Sequence, residues 1–78
     1  MKKKTNNTDR IEINPKIMLG KPVVKGTRIT VEIILQKLAN GQTEEQIISS
    51  YPLLTKEDIK ACIQYAANLV SLEEVITI

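Results

Sequence analysis

Six polar side chains have the type and spacing to hold an anion: Lys21, Lys25, Arg28, Lys56, Lys60 and Gln64. The first three fall within the stretch Gly20-Lys21-Pro22-Val23-Val24-Lys25-Gly26-Thr27-Arg28, which sets cations among two glycines and a proline. Glycine reaches positive φ without steric cost and proline locks φ, so the stretch predicts a rigid basic turn or ribbon. Lys56, Lys60 and Gln64 follow one another at four-residue intervals, the spacing of one helical face. Amines and amides so placed can meet phosphates or base edges.

Other chemistries lack their residues. The chain has no histidine and one cysteine, Cys62, which excludes His-based acid–base catalysis, a Cys/His zinc site and an internal disulfide. Without a histidine partner, Cys62 reads as a small core residue rather than a nucleophile. Gly20-Lys21 lacks the spaced upstream glycine and the following Ser/Thr of a phosphate-binding P-loop. The carboxylate pairs Glu44/Glu45, Glu57/Asp58 and Glu73/Glu74 are adjacent in sequence and do not converge. A chain of 78 residues offers little pocket, so neither enzymatic activity nor a cofactor or metal is expected.

The net charge of +2 conceals a division. Residues 1–28 hold eight cations against two anions, and residues 29–78 hold three cations against seven anions. A basic N-terminal part on an acidic body suggests an anionic partner, either nucleic acid or an acidic protein surface. No apolar run approaches the ~20 residues of a membrane span. Met1 to Lys4 is not followed by a secretory h-region, so a cytoplasmic protein without a membrane association is expected.

These side chains must be positioned by a small aliphatic domain. Twelve Ile, seven Leu and five Val supply a core, with no Phe or Trp and only Tyr51 and Tyr65 as aromatics. Residues 1–9 read as a disordered basic tail. Arg10-Ile11-Glu12-Ile13 alternates as a short strand ended by Asn14-Pro15, Pro22 to Lys25 is a second strand, and Gly26-Thr27 is a turn. Thr30 caps a helix whose apolar positions are Val31, Ile34, Leu35 and Leu38, stopped at Gly41. Thr43 and Gln46 form a capping box for a two-turn helix that Pro52 ends. Thr55 opens a third helix to about Val70, with a buried stripe of Ile59, Cys62, Ile63, Ala66, Leu69 and Val70 and with Tyr65 largely outside it. The fold class is therefore mainly α: a three-helix bundle with a short N-terminal β-ribbon in residues 10–70. Residues 71–78 are left as a C-terminal tail with strand propensity at its end.

The second and third helices, joined by Tyr51-Pro52-Leu53-Leu54, have helix-turn-helix spacing, with Thr55 to Val70 as the recognition helix. That helix has no net charge, because Glu57 and Asp58 oppose Lys56 and Lys60, so the ribbon must supply cations. Arg28 has a competing structural role, as a partner for Glu32 or another carboxylate.

The ordered strings Gly20 to Ile29, Ala39-Asn40-Gly41, Tyr51-Pro52-Leu53-Leu54 and Thr55-Lys56-Glu57-Asp58 resemble the family catalogued as domain of unknown function 433. The resemblance covers about Arg10 to Val70. It implies a homeodomain-like helix-turn-helix core and a ribbon that pairs between subunits of a homodimer. It also implies an antitoxin of VapB type, the partner of a PIN-like ribonuclease toxin. On that expectation Lys21, Lys25, Arg28, Lys56, Lys60 and Gln64 contact operator DNA, and Leu72, Val75, Ile76 and Ile78 contact the toxin. The alternatives are an interaction module that binds no DNA and a stand-alone helix-turn-helix regulator. One departure stands out: members often carry Cys or another small residue before Gly-Lys-Pro, where this chain has Met18-Leu19.

Overall fold

The computed structural model describes the backbone of residues 7–77 and the side chains of residues 9–71. The tail residues 1–6 and Ile78 lie outside that range. The expected tail gives way at Asn7–Arg10, which forms a 3-10 turn packed on the longest helix.

Strands β1 (Ile11–Glu12) and β2 (Val23–Val24) pair antiparallel, Ile11 opposite Val24 and Glu12 opposite Val23. The far side of β2 is occupied as well. Val24 N–H donates to the Ile29 carbonyl at 2.9 Å, Val23 bridges Thr30, and Val31 N–H donates to the Pro22 carbonyl at 2.9 Å. Val23 and Val24 are both buried, although successive strand side chains point to opposite faces. The ribbon is thus embedded in the body. Among the described residues, the outer edge of the two-residue β1 is the ribbon edge without a strand or bridge partner.

Three helices follow: α1 (Val31–Ala39), α2 (Glu44–Ser50) and α3 (Lys56–Thr77). Each start has the cap its sequence predicts. Thr30 Oγ1 accepts from Ile33 N–H at 3.1 Å. Thr43 Oγ1 accepts from Gln46 N–H at 3.1 Å, while Gln46 Oε1 accepts from Thr43 N–H at 2.8 Å. At the end of α1, Gly41 takes φ +91°. Gly41 N–H reaches the Leu38 carbonyl and Gln42 N–H the Lys37 carbonyl, each at 3.0 Å, closing a Schellman motif.

The core gathers Val24 of β2, Val31 and Ile34 of α1, Ile47 of α2, Leu54 of the following loop and Ile59 and Cys62 of α3, and Ile11 of β1 packs on its edge. On α3 the predicted stripe is only half right. Ile59, Ala61 and Cys62 are fully buried, and Tyr65, expected outside, packs against the core. Ile63, Leu69 and Val70 are exposed. The reason is length: α1 spans ~13 Å and α2 ~10 Å, against ~33 Å for α3. The segment expected as a tail from Ser71, with strand propensity at its end, instead continues α3 to Thr77.

The loop between the strands contains a left-handed turn. Met18 (φ 49°) and Leu19 (φ 59°) precede Gly20 (φ 84°), with Gly20 N–H on the Ile17 carbonyl at 3.0 Å and Lys21 N–H on the Met18 carbonyl at 3.1 Å. An L-residue held there costs ~1–2 kcal/mol. Leu19 is 95% exposed, so almost no packing opposes that strain, and Met18-Leu19 is a matter of backbone rather than of local packing. Leu19→Asn is expected to raise stability by about 0.5–1 kcal/mol, since asparagine tolerates this region. Thermal unfolding of the pair measures it, and an unchanged or lower Tm would show that the turn is not strained.

Candidate nucleic-acid interface

Asp58 is the junction of the ribbon and the helix pair. It lies at the third position of α3, where its Oδ2 accepts from Thr55 N–H at 2.9 Å and Thr55 Oγ1 accepts from Asp58 N–H at 3.2 Å. This reciprocal pair satisfies donors that a helix start leaves open. Its other oxygen, Oδ1, accepts from the Arg10 guanidinium at 3.1 Å. Asp58 is only 7% exposed, and all its polar atoms that are buried have partners. Its charge therefore does not stand on the outer face of α3, where the sequence alone set it against Lys56 and Lys60.

Arg10 also holds the ribbon turn. Lys25 N–H donates to the Arg10 carbonyl at 2.7 Å. The turn Val24-Lys25-Gly26-Thr27 closes with Thr27 N–H on the Val24 carbonyl at 3.0 Å, and Gly26 takes φ +84° at its third position, as a type II turn requires. Thr27 Oγ1 donates to the Val24 carbonyl at 2.8 Å and accepts from Ile29 N–H at 2.9 Å. Gly26 and Thr27 are thus architecture. Lys25 and Arg28 flank them and carry the turn's charge, both exposed.

The six predicted anion-binding residues divide into two groups. Lys21 Nζ pairs with Glu32 Oε1 at 3.1 Å, taking the carboxylate expected for Arg28. Lys56 Nζ pairs with Glu45 Oε2 at 3.5 Å, joining α3 to α2. Glu45 sits in the first turn of α2, where a backbone hydrogen bond and then Lys56 hold its carboxyl below the ordinary value. Gln64 Nε2 donates to Asn68 Oδ1 at 2.9 Å along α3. Both ion pairs are more than half exposed, so each contributes little and can reopen toward a stronger anion. Among the described residues, Lys25, Arg28 and Lys60 take part in no ion pair. The predicted toxin-contact side chains, Leu72, Val75, Ile76 and Ile78, lie outside the described side chains.

The helix pair is itself well defined. Leu54 is buried and its N–H donates to the Tyr51 carbonyl at 2.9 Å, which fixes the bend between α2 and α3. Lys37 of α1 lies over the Tyr51 ring, 5.8 Å from its centroid. Cys62 is buried, and burial first, then the nearby Asp58 charge, pushes its thiol up to about 12, so it stays protonated and unreactive. Among the described residues, no group of three potential ligands could hold a metal ion, and no helix is long and apolar enough to cross a membrane.

Arg10 and Asp58 are the site residues that sequence reasoning missed. Asp58 had a visible signal, the Thr-x-x-Asp box. Its pairing with a residue 48 positions away had none.

The chain is therefore a small, mainly helical domain with three helices and a two-stranded antiparallel ribbon at its N-terminal side. Residues 11–66 match the family described as "Protein of unknown function (DUF433)", and the chain belongs to that family. A crystal structure of a DUF433 member protein from Anabaena variabilis superposes with a TM-score of 0.71 at 27% identity, covering 88% of this chain and 69% of that one. Among curated proteins, "Uncharacterized protein y4eO" of Sinorhizobium fredii is 36% identical over 53 residues. That match takes in 68% of this chain but only 24% of the relative, so the chain spans about a quarter of that protein's length.

Proposed function

We propose that this chain is a DNA-binding antitoxin of VapB type, acting in the cytoplasm as a dimer that binds its operator and neutralises a PIN-like ribonuclease toxin. The Arg10–Asp58 pair carries the DNA half of this reading. It removes an anion from the outer face of α3. It also fastens the turn bearing Lys25 and Arg28 to the first turn of the helix bearing Lys56 and Lys60. In this reading ribbon and helix would present their cations together, and a fixed arrangement of the two would lower the ordering cost of binding. Phosphates would draw Lys21 and Lys56 from their exposed carboxylate partners, and Lys60 and Gln64 would face the groove.

The toxin half rests on the family resemblance and on the length of α3. Because the backbone is helical to Thr77, toxin capture would use a helix in a groove rather than a strand added to a sheet edge. In a helix, Leu72, Val75 and Ile76 fall at i, i+3 and i+4, one face.

Replacing Lys25, Arg28 and Lys60 with alanine is expected to weaken binding to the chain's own upstream DNA at every salt concentration. The slope of log affinity against log salt should fall by ~0.9 for each phosphate no longer neutralised. Fluorescence anisotropy over a salt series measures it. An unchanged slope, or no preference for upstream over random DNA, would remove the DNA half. Toxin neutralisation that survives deletion of residues 71–78 would remove the toxin half.

A second reading, an interaction module without DNA binding, is favoured by the pairing of Lys21 and Lys56. Lys56→Ala with Lys60→Ala separates the two, since only the first reading gives them DNA affinity to lose.

A further inference from the structure

We propose, resting on the DNA-binding reading above, that Gln64 and Asn68 of α3 form a coupled amide pair that reads the major-groove edge of an adenine. The pair selects sequence, while the lysines and Arg28 supply affinity. Gln64 Nε2 donates to Asn68 Oδ1 at 2.9 Å, and both side chains are exposed. That bond uses one N–H of Gln64 and one lone pair of Asn68. Each amide therefore keeps an acceptor and at least one N–H donor. Adenine offers the complement in the major groove, an acceptor at N7 and an amino donor at N6, and glutamine or asparagine can bond both at once. The bond between the two amides holds each near one orientation, which lowers the ordering cost of docking.

Charge assigns this half of the helix to bases rather than phosphates. From Gln64 to Ser71 the chain has no charged side chain, whereas Lys56 and Lys60 stand in the turns before it. Phosphate contacts draw on cations, so residues 64–71 add little to them. The same residues carry no anion to repel the nucleic-acid backbone.

Shape agrees with charge. Lys60, Gln64, Ala67, Asn68 and Ser71 recur at i, i+4, i+7, i+8 and i+11, which is one helical face, and all five are exposed. Ala67 and Ser71 are small, so the helix can approach a groove floor closely, and an alanine methyl suits the methyl of thymine. The major groove, ~12 Å wide, admits a single helix of ~10–12 Å diameter.

A Gln–Asn bond at this spacing also supports the helix itself, a role that would leave DNA recognition untouched. The test therefore reads bases. Fluorescence anisotropy compares three duplexes over a salt series: the chain's own upstream DNA, the same DNA with an adenine analogue that has C–H in place of N7, and random-sequence DNA. The analogue should weaken binding of the unaltered chain at least about 5-fold. Gln64→Ala and Asn68→Ala should each lower affinity for the upstream DNA by about 5–150-fold, the span of one good bidentate base contact. Affinity for random DNA and the salt slope should stay as they are. The double variant should no longer distinguish the analogue from adenine. Alanine favours helix, so at these exposed positions the variants keep their fold. Equal losses on upstream and random DNA would make the amides backbone contacts and overturn the proposal. Unchanged affinity in both variants would overturn it too, as would an unaltered chain indifferent to the analogue. Those three results leave the DNA-binding reading standing. An unaltered chain with no preference for upstream over random DNA would remove that reading, and this proposal with it.

Discussion

Asp58→Ala is expected to lower the unfolding free energy by about 2–3 kcal/mol. Two losses add: the bond that the carboxylate accepts from Thr55 N–H, its half of the reciprocal cap, ~1 kcal/mol, and the charge-assisted hydrogen bond it accepts from Arg10, ~1.5–3 kcal/mol before solvent screening. The upper end is not reached because the Arg10 side chain is 44% exposed and rehydrates once its partner is gone. For a domain of this size the loss should lower Tm by ~10–20 °C. Arg10→Ala should cost less, about 1 kcal/mol, since Asp58 keeps its bond from Thr55 N–H. The order of the two costs is the test. Equal small losses in both variants, by chemical denaturation, would mean that Asp58 is not the junction of ribbon and helix. The same comparison bears on function: Arg10→Ala should weaken DNA binding beyond its own charge, because the turn bearing Lys25 and Arg28 loses its fastening to α3.

The second large effect is expected at Ile47. It is fully buried and is the single buried residue that α2 contributes to the core. A seven-residue helix is not stable by itself in water, so α2 persists through this contact and its capping box. Ile47→Ala should cost about 3 kcal/mol, the usual loss for truncating a buried isoleucine. A domain of this length has roughly 4–10 kcal/mol in total, so the variant is left near the threshold of folding. The loss should be partly local. Amide exchange in residues 44–50 should quicken by ~100-fold, while α1 and the first half of α3 change less. Uniform acceleration across all three helices would show instead that α2 opens only with the whole domain. In the DNA-binding reading, α2 sets the angle at which α3 is presented, so the variant should lose affinity before it loses helix content.

The helices were legible because their ends are local. Thr30, Thr43 and Thr55 each bond a backbone amide three residues on, and Gly41 meets a φ that other residues reach at a cost. Such interactions lie within one turn of chain, so residue type and spacing suffice to place them. The turn at Gly26-Thr27 was legible for the same reason. The basic ribbon was harder, because its composition did not distinguish cations that bind from cations that hold the fold. Lys21 took the carboxylate assigned to Arg28, and Arg10, never singled out, became the link to the helices.

By itself, then, the sequence determined three capped helices, a tight turn between short strands, an aliphatic core and an asymmetric distribution of charge. The family match spans residues 11–66, the stretch that holds these local strings. Tertiary structure decided which faces of those elements are covered. Helical spacing marks Ile59, Cys62, Leu69 and Val70 alike as apolar. Only the first two meet the core, because α1 is too short to follow α3 along its length. It also decided that Asp58 faces inward, since that depends on where a guanidinium 48 residues away comes to rest. Hydrogen bonds within a turn are set by neighbours in the chain, whereas burial and ion pairing are set by neighbours in space.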